Sequence, residues 1–348
     1  FVVDRQYKTA AEAAPIWHSG DPKAGLFNIY TNQEIFTRIS RDQGYVFESY
    51  YTPRGDSSPL WQHYTPEPRL DGIAERLVDN DFASMEERAA LMAEALELSL
   101  KDSARIHLVD RSAFNPHRAE LEVTGDLAGG IAVTPLWAHT LRFKDRAGGT
   151  VNVSVRSLLT EPWNPLAGSR FLYDMMVLRA TGDESVIHDP FTGLPTPHRI
   201  ERAEVVLQEG LPVVNSSDWV ELRFAPEIQV PGDAWAEWDP VEQRFITVAE
   251  KYPQGVTARR KSVVYYPEDL FEKLKWHDGS RFSPADVVLG IILSFDRGYE
   301  ESPVFDPTEK PVVDSIMRTF KGVKIRSVDP LVIESYGDDF ALDAERNI

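Results

Sequence analysis

From Met85 onward, apolar residues recur at helical spacing: Leu91, Met92, Ala95 and Leu96, with Ser99 in the same stripe. Ser84-Met85-Glu86-Glu87 opens this run as a capping box. The serine oxygen takes the amide three residues on, and Glu87 reaches back. The pattern predicts a helix from Ser84 to Asp102, then a strand at Ile106-His107-Leu108-Val109. A second helix is expected where Ser283-Pro284-Ala285-Asp286 supplies an N-cap, a proline at the first helical position and an acid for the positive helix start. Val287, Val288, Ile291, Ile292 and Phe295 give that helix one apolar stripe, and Phe171 to Leu178 reads as a shorter helix.

Other stretches carry strand character. Leu26 to Tyr30 suits a buried strand, and Thr150 to Val155 alternates with period two until Glu161-Pro162-Trp163-Asn164-Pro165 turns the chain. Between Ile200 and Val248, short β-prone runs are broken by Pro212, Pro226, Pro231 and Pro240. Ser262 to Tyr266 is a further strand, ended by Pro267. Val323 to Ser327 and Leu331 to Tyr336 form two more around a turn at Asp329-Pro330. The aromatic-rich stretch from Tyr45 to Tyr64 is expected to be broken into loops by Pro53, Gly55, Pro59, Pro66 and Pro68. Asp126 to Pro135, rich in glycine and alanine, reads as a connector.

Composition narrows the function classes. The 348 residues suffice for two domains. The 55 acidic against 37 basic residues give a net charge of -18, which disfavours phosphate backbones and anionic lipid and so argues against nucleic-acid binding. The chain has no cysteine, so disulfides, thiolate metal sites and cysteine catalysis are excluded. No apolar run is long enough to span a bilayer. The eight histidines show no His-x-x-x-His pairing, and no G-x-G-x-x-G, P-loop or G-x-S-x-G pattern occurs. No cofactor is implied. The opening Phe1-Val2-Val3-Asp4-Arg5 is not a signal peptide and reads as mid-strand, so the chain is expected to be a piece of a longer protein.

Lys275-Trp276-His277-Asp278-Gly279-Ser280-Arg281-Phe282-Ser283-Pro284-Ala285-Asp286-Val287-Val288 resembles the signature of ABC-importer solute-binding proteins for oligopeptides, dipeptides and nickel. That family has an aromatic residue, a histidine and Asp-Gly, then a capped helix and a hairpin such as Val323 to Tyr336. Ser154 to Pro165 is similar to the family's opening strand, here ending Trp163-Asn164-Pro165. Leu70-Asp71-Gly72-Ile73, Ser84 to Asp102 and Ile106 to Val109 are similar to its late region. The order is reversed: the late region precedes the opening one.

The resemblance implies an α/β, two-lobed periplasmic-binding-protein-like architecture, here an incomplete fragment with rearranged segment order. Residues 1–147 are the late, second-lobe-like region, and 148–348 the opening, first-lobe-like region. It also implies reversible binding of a peptide between lobes and delivery to an ABC transporter permease in the membrane. The location implied is periplasmic or extracellular, with a lipid anchor as an option. No chemistry is implied, and Trp276, His277 and Asp278 are structural, shaping the approach to the helix. The residues assigned to the ligand are Thr31, Asn32, Thr160, Glu161 and Trp163, with Trp61 a further aromatic candidate. Asn32-Gln33-Glu34 stands where the family has an aspartate for the peptide amine, which brings an oligosaccharide forward as the alternative ligand. The enzyme alternative is a carboxylate-pair glycosidase. A further alternative is a non-binding module, half of a pocket completed elsewhere.

Overall fold

The computed structural model describes residues 16, 22–24, 38–40, 43–55, 59–106, 114–155, 172–307 and 309–348. They gather into two compact units, one of residues 1–36 and 41–112, the other of residues 37–40 and 113–348.

The smaller unit is helical. Its described helices are α1 (Tyr45–Tyr51), α2 (Pro59–Gln62), α3 (Pro68–Val78) and α4 (Met85–Asp102). The first two correct the expectation of loops between Tyr45 and Tyr64. No breaker interrupts Tyr45 to Tyr51, Phe47 and Tyr51 bury one turn apart, and Pro59 occupies a helix start, where its missing N–H costs nothing. In α3, Glu67 caps the amide of Leu70 at 2.8 Å, and Leu70, Ile73, Ala74 and Leu77 form a fully buried stripe. In α4, Ser84 Oγ accepts the Glu87 amide at 3.2 Å, as the capping box requires. Glu87 reaches back one residue further than expected, to the Ala83 amide at 2.8 Å. Arg88, Leu91, Ala95 and Ser99 face inward, whereas Leu96 is 54% exposed, so the stripe is narrower than the sequence suggests. Arg69–Glu94 and Arg76–Glu87 ion pairs, both at 2.7 Å, join α3 to α4. A methyl group at Gly55 would sit 2.3 Å from the Ser49 Cα, so the turn after α1 closes only on glycine. Of the strand expected from Ile106 to Val109 only Ile106 is described, 75% exposed, and 107–109 lie outside the described residues.

The larger unit is mixed α/β. In chain order it holds β1 (Leu121–Glu122), α5 (Leu136–Thr140), β2 (Arg142–Phe143), α6 (Leu172–Thr181), β3 (Val186–His188), β4 (Pro195–Pro197), β5 (Arg202–Gln208) and β6 (Val220–Ala225). Then come β7 (Ile228–Gln229), β8 (Trp235–Asp239), β9 (Arg244–Thr247), α7 (Val248–Lys251), β10 (Thr257–Ala258), β11 (Arg260–Tyr265) and α8 (Leu270–Lys273). The last elements are α9 (Pro284–Asp296), α10 (Lys310–Thr319), β12 (Phe320–Val328) and β13 (Leu331–Gly337). Seven strands form one sheet in the order β6-β5-β11-β13-β12-β8-β9, antiparallel except for the β5–β6 pair. The strands expected from Ile200 to Val248, at Ser262 and around Asp329-Pro330 are present. The strand expected from Thr150 is not: residues 151–155 have no regular structure and Val153 is 53% exposed. Alternation alone does not make a strand without a neighbour to complete its hydrogen bonds.

Period two in β5 divides its side chains between the two faces of the sheet. Ala203, Val205 and Leu207 pack with Val213, Val220 and Ala344, while Val206 packs on the opposite cluster around Ala236, Val248 and Tyr336. Leu222, Val205, Ser262, Ser335, Val323, Trp235 and Thr247 stand side by side as one row across all seven strands. The two serines at its middle leave room for Arg260. Its Nη1 donates to Ser262 Oγ at 3.0 Å, Ser335 Oγ at 3.3 Å and the Asn347 carbonyl at 3.4 Å, and its Nη2 pairs with Asp339 at 3.0 Å. Ser262 Oγ also donates to the Asn347 carbonyl. The segment from Asp338 to Ile348 is thereby held on this face of the sheet.

Two outcomes check these packing assignments. Ile73→Ala is expected to destabilise the helical unit by about 2–5 kcal/mol, and Leu96→Ala by no more than about 0.5 kcal/mol, as read from urea midpoints. Arg260→Ala is expected to cost the larger unit about 2–3 kcal/mol, since it strands charge-assisted partners. Arg260→Lys should recover little of this in thermal unfolding, because an ammonium cannot span the same acceptors.

Candidate functional site

The Asp-Gly motif forms a tight turn. Lys275 and Arg281 pair as an isolated bridge, Gly279 takes φ +87°, and the Gly279 amide donates to the Trp276 carbonyl at 2.9 Å. A positive φ there is the reason for glycine. Asp278 accepts the Ser280 amide at 2.8 Å, and Ser280's hydroxyl and amide hold that carboxylate below its usual range. His277 Nε2 contacts the Thr181 carbonyl at 2.8 Å, and Trp276 packs edge-on against Phe282. Each of the three residues thus has a local partner.

Helix α9 then starts as its sequence requires. The Asp286 carboxylate accepts both the Ser283 amide, at 2.7 Å, and the Ser283 hydroxyl, at 2.8 Å. At its far end the Trp238 indole donates to Asp296 at 3.0 Å, both groups buried, which fixes the helix to β8. Of the expected apolar stripe only Phe295 is fully buried; Val287, Val288, Ile291 and Ile292 are half-exposed.

The residues assigned to the ligand from sequence, Thr31, Asn32, Thr160, Glu161 and Trp163, lie outside the described residues. Trp61 is described. It packs edge-on against Tyr64, with the Arg105 guanidinium 5.3 Å from its ring and 4.3 Å from that of Tyr50. That is a cation–π stack inside the helical unit.

A cluster that sequence reasoning did not single out lies in the larger unit. Arg38 Nη1 meets His188 Nδ1 at 2.5 Å, so the neutral ring accepts at Nδ1 and keeps its proton on Nε2. Arg179 reaches the Ala132 carbonyl at 2.8 Å, and Arg346 the Gly193 carbonyl at 3.0 Å. Neither Arg38 nor Arg179 forms an ion pair among the described residues. Burial, then the charge of Arg38, depresses the Arg179 guanidinium against a weaker opposing pull from Glu184. Burial, then Arg38 and Arg346, push His188 down to about 4, with Asp126 pulling the other way. The neighbouring carboxylates are turned to the backbone. Asp126 accepts the amides of Ile39, Ala128 and Gly129, and Asp189 those of Phe191 and Thr192. The connector expected at Asp126 to Pro135 is therefore a hydrogen-bonded turn that holds the Ile39 amide, and with it the segment carrying Arg38.

Local chain geometry assembles this cluster. A methyl group at Gly193, which has φ +71°, would lie 2.2 Å from the Ile39 carbonyl, so the β3–β4 hairpin closes on the segment carrying Arg38 only through glycine. The Asp343 carboxylate stands 4.0 Å from Arg346 Nε. Arg38 and His188 meet directly, Arg346 bonds the same hairpin and the charge of Arg38 reaches Arg179, and no spacing rule in the sequence links the four.

An opening of about 480 Å³ adjoins β1 and β2, away from this cluster, beside Thr124, Thr140, Arg142 and Lys144. Its polar groups are spent within the protein: Arg142 pairs with Glu122 at 2.5 Å, Lys144 donates to the Ala119 carbonyl at 2.7 Å, and Thr140 accepts the Thr124 amide at 2.9 Å. Among the described residues, no three of His, Asp and Glu are placed to hold a metal ion, and no helix is long and apolar enough to cross a membrane. No protein-family model matches the chain, and no curated protein matches it.

The depressed histidine has a measurable consequence. Below about pH 6.5 the unfolded chain binds a proton at His188, and the folded chain does not until about pH 4. Stability contributed at this position is therefore lost as pH falls through that window. Relative to His188→Gln, the wild type is expected to lose about 1–2 kcal/mol between pH 6.5 and 4 in denaturant titrations, a figure reduced because the ring is only half-buried.

Proposed function

We propose that this chain is part of the substrate-binding component of an ABC importer, which binds a peptide reversibly and hands it to a membrane permease without chemical change. The observation that carries the reading is the segment from Lys275 to Asp296. Its bridged Asp-Gly turn leads into a helix capped by Ser283 and Asp286, and the β12–β13 hairpin follows in the same unit. The sequence in this segment resembles the peptide-binding class, and the local geometry is what that resemblance implies. In this reading residues 148–348 belong to a first lobe and residues 1–147 to a second-lobe-like region, in rearranged order. Such a protein works in the periplasm or outside the cell. The carboxylates in the described turns and caps are occupied in holding the backbone, which favours a carrier over a glycosidase.

The test is a thermal-shift screen of the protein against peptide pools, cello- and xylo-oligosaccharides, and nickel. A ligand at one hundred times its dissociation constant is expected to add about 2.7 kcal/mol of stability. A shift confined to peptides, with the peptide recovered intact, supports the reading. A shift with oligosaccharides alone, cleavage of the bound molecule, or no shift in any pool overturns it.

A further inference from the structure

We propose that Arg38, Arg179, Arg346 and the Nε2–H of His188 form a binding site for a small anionic group, a carboxylate or a phosphate. The geometry supports this in three ways. First, Arg38 meets His188 directly, Arg346 bonds the Gly193 carbonyl in the same β3–β4 hairpin, and Arg179 on helix α6 lies near enough to feel the charge of Arg38. Like charges brought together in a half-buried setting repel, and an anion relieves that repulsion. Second, among the described residues two of its three arginines lack a counter-charge, while the third has Asp343 at 4.0 Å. Arg38 and Arg179 have no ion pair among the described residues, although arginines elsewhere pair repeatedly, as at Arg54–Asp71, Arg142–Glu122 and Arg244–Glu250. The protein carries 55 acidic residues, so such an omission is not for want of carboxylates.

Third, donors remain unspent. Each guanidinium has five N–H groups, while Arg38 uses Nη1 on His188 and Arg179 uses Nη1 on a carbonyl. Arg346 Nε is buried without a hydrogen-bond partner among the described residues. Buried donors of this kind are normally satisfied, and a planar or tetrahedral oxyanion offers the matching acceptors. Asp126 and Asp189 face the cluster's neighbourhood but are saturated by amides, Asp343 stands 4.0 Å from Arg346, and Glu184 acts only weakly on Arg179. The inference does not depend on import: it concerns which chemical group this unit holds, not what becomes of it.

The experiment uses the whole chain, with acetate and inorganic phosphate as probes titrated at constant ionic strength against chloride. The His188 ring resonance, assigned with His188→Gln, is followed by NMR. A saturable shift of that resonance is expected with one probe or both, acetate alone marking a carboxylate and phosphate alone a phosphate. In folded Arg179→Gln or Arg38→Gln, affinity should fall about tenfold, as expected for loss of one charge-assisted hydrogen bond. Non-saturating shifts, equal shifts at all eight histidines, or unchanged affinity in the folded variants would overturn the proposal. If a variant does not fold, competition decides: a wild-type shift reversed by chloride at equal concentration shows no selective site, and the proposal fails.

Discussion

The guanidinium of Arg260 is the contact on which the larger unit is organised. It is 12% exposed, yet it is anchored on every side by acceptors: two serine hydroxyls, the Asp339 carboxylate and the Asn347 carbonyl. Placing it there requires small residues opposite each other on β11 and β13, which is what Ser262 and Ser335 supply. Its partners lie on the segment from Asp338 onward, so one side chain fastens that segment to the centre of the sheet. Asn347 repeats the device on a smaller scale, its amide bonding the backbone of Ala341 in both directions at 2.8 and 2.9 Å. Once the segment is fixed, Ala344 completes one core, Glu345 accepts the Ser216 amide at 2.8 Å, and Arg346 is delivered to the β3–β4 hairpin. The cationic cluster is thus a remote result of how two serines and an arginine share the sheet's midline.

Local chemistry was well legible in the sequence. Ser84 and Ser283 open helices because their neighbours satisfy end groups within three or four residues, and the Asp329-Pro330 turn separates two strands that pair with each other. Features that depend on distant partners were not. The alternation at Thr150 to Val155 has the period of a strand but lies beside none, and the apolar run of α9 reads as a core stripe although one side of it is half-exposed. The loops expected near Tyr45 gave way to helix because burying Phe47 and Tyr51 outweighs the punctuation on either side. Least legible was the cluster at Arg38, His188, Arg179 and Arg346. Its members are ordinary surface residues by type, and only the fold makes them neighbours.

The charge of the protein also has a structural grain. Many of its acids serve as backbone caps: Asp126, Asp189, Asp239, Asp278 and Asp286 each accept one or more amides within their own turn or helix start. These carboxylates do in loops what strand neighbours do in the sheet, supplying acceptors where the chain reverses.

The outer strands of the seven-stranded sheet bear on how the protein behaves in a crowded solution. Among the described residues β6 has a strand partner on one side only, and an unpaired row of amides and carbonyls is a template for another chain. Along it, exposed Glu221 and Arg223 form their own ion pair at 2.6 Å, and at the opposite margin Arg244 of β9 pairs with Glu250 at 2.8 Å. A strand approaching either margin must first strip water from these charges. Charge at both borders therefore opposes edge-to-edge growth of the sheet into fibrils.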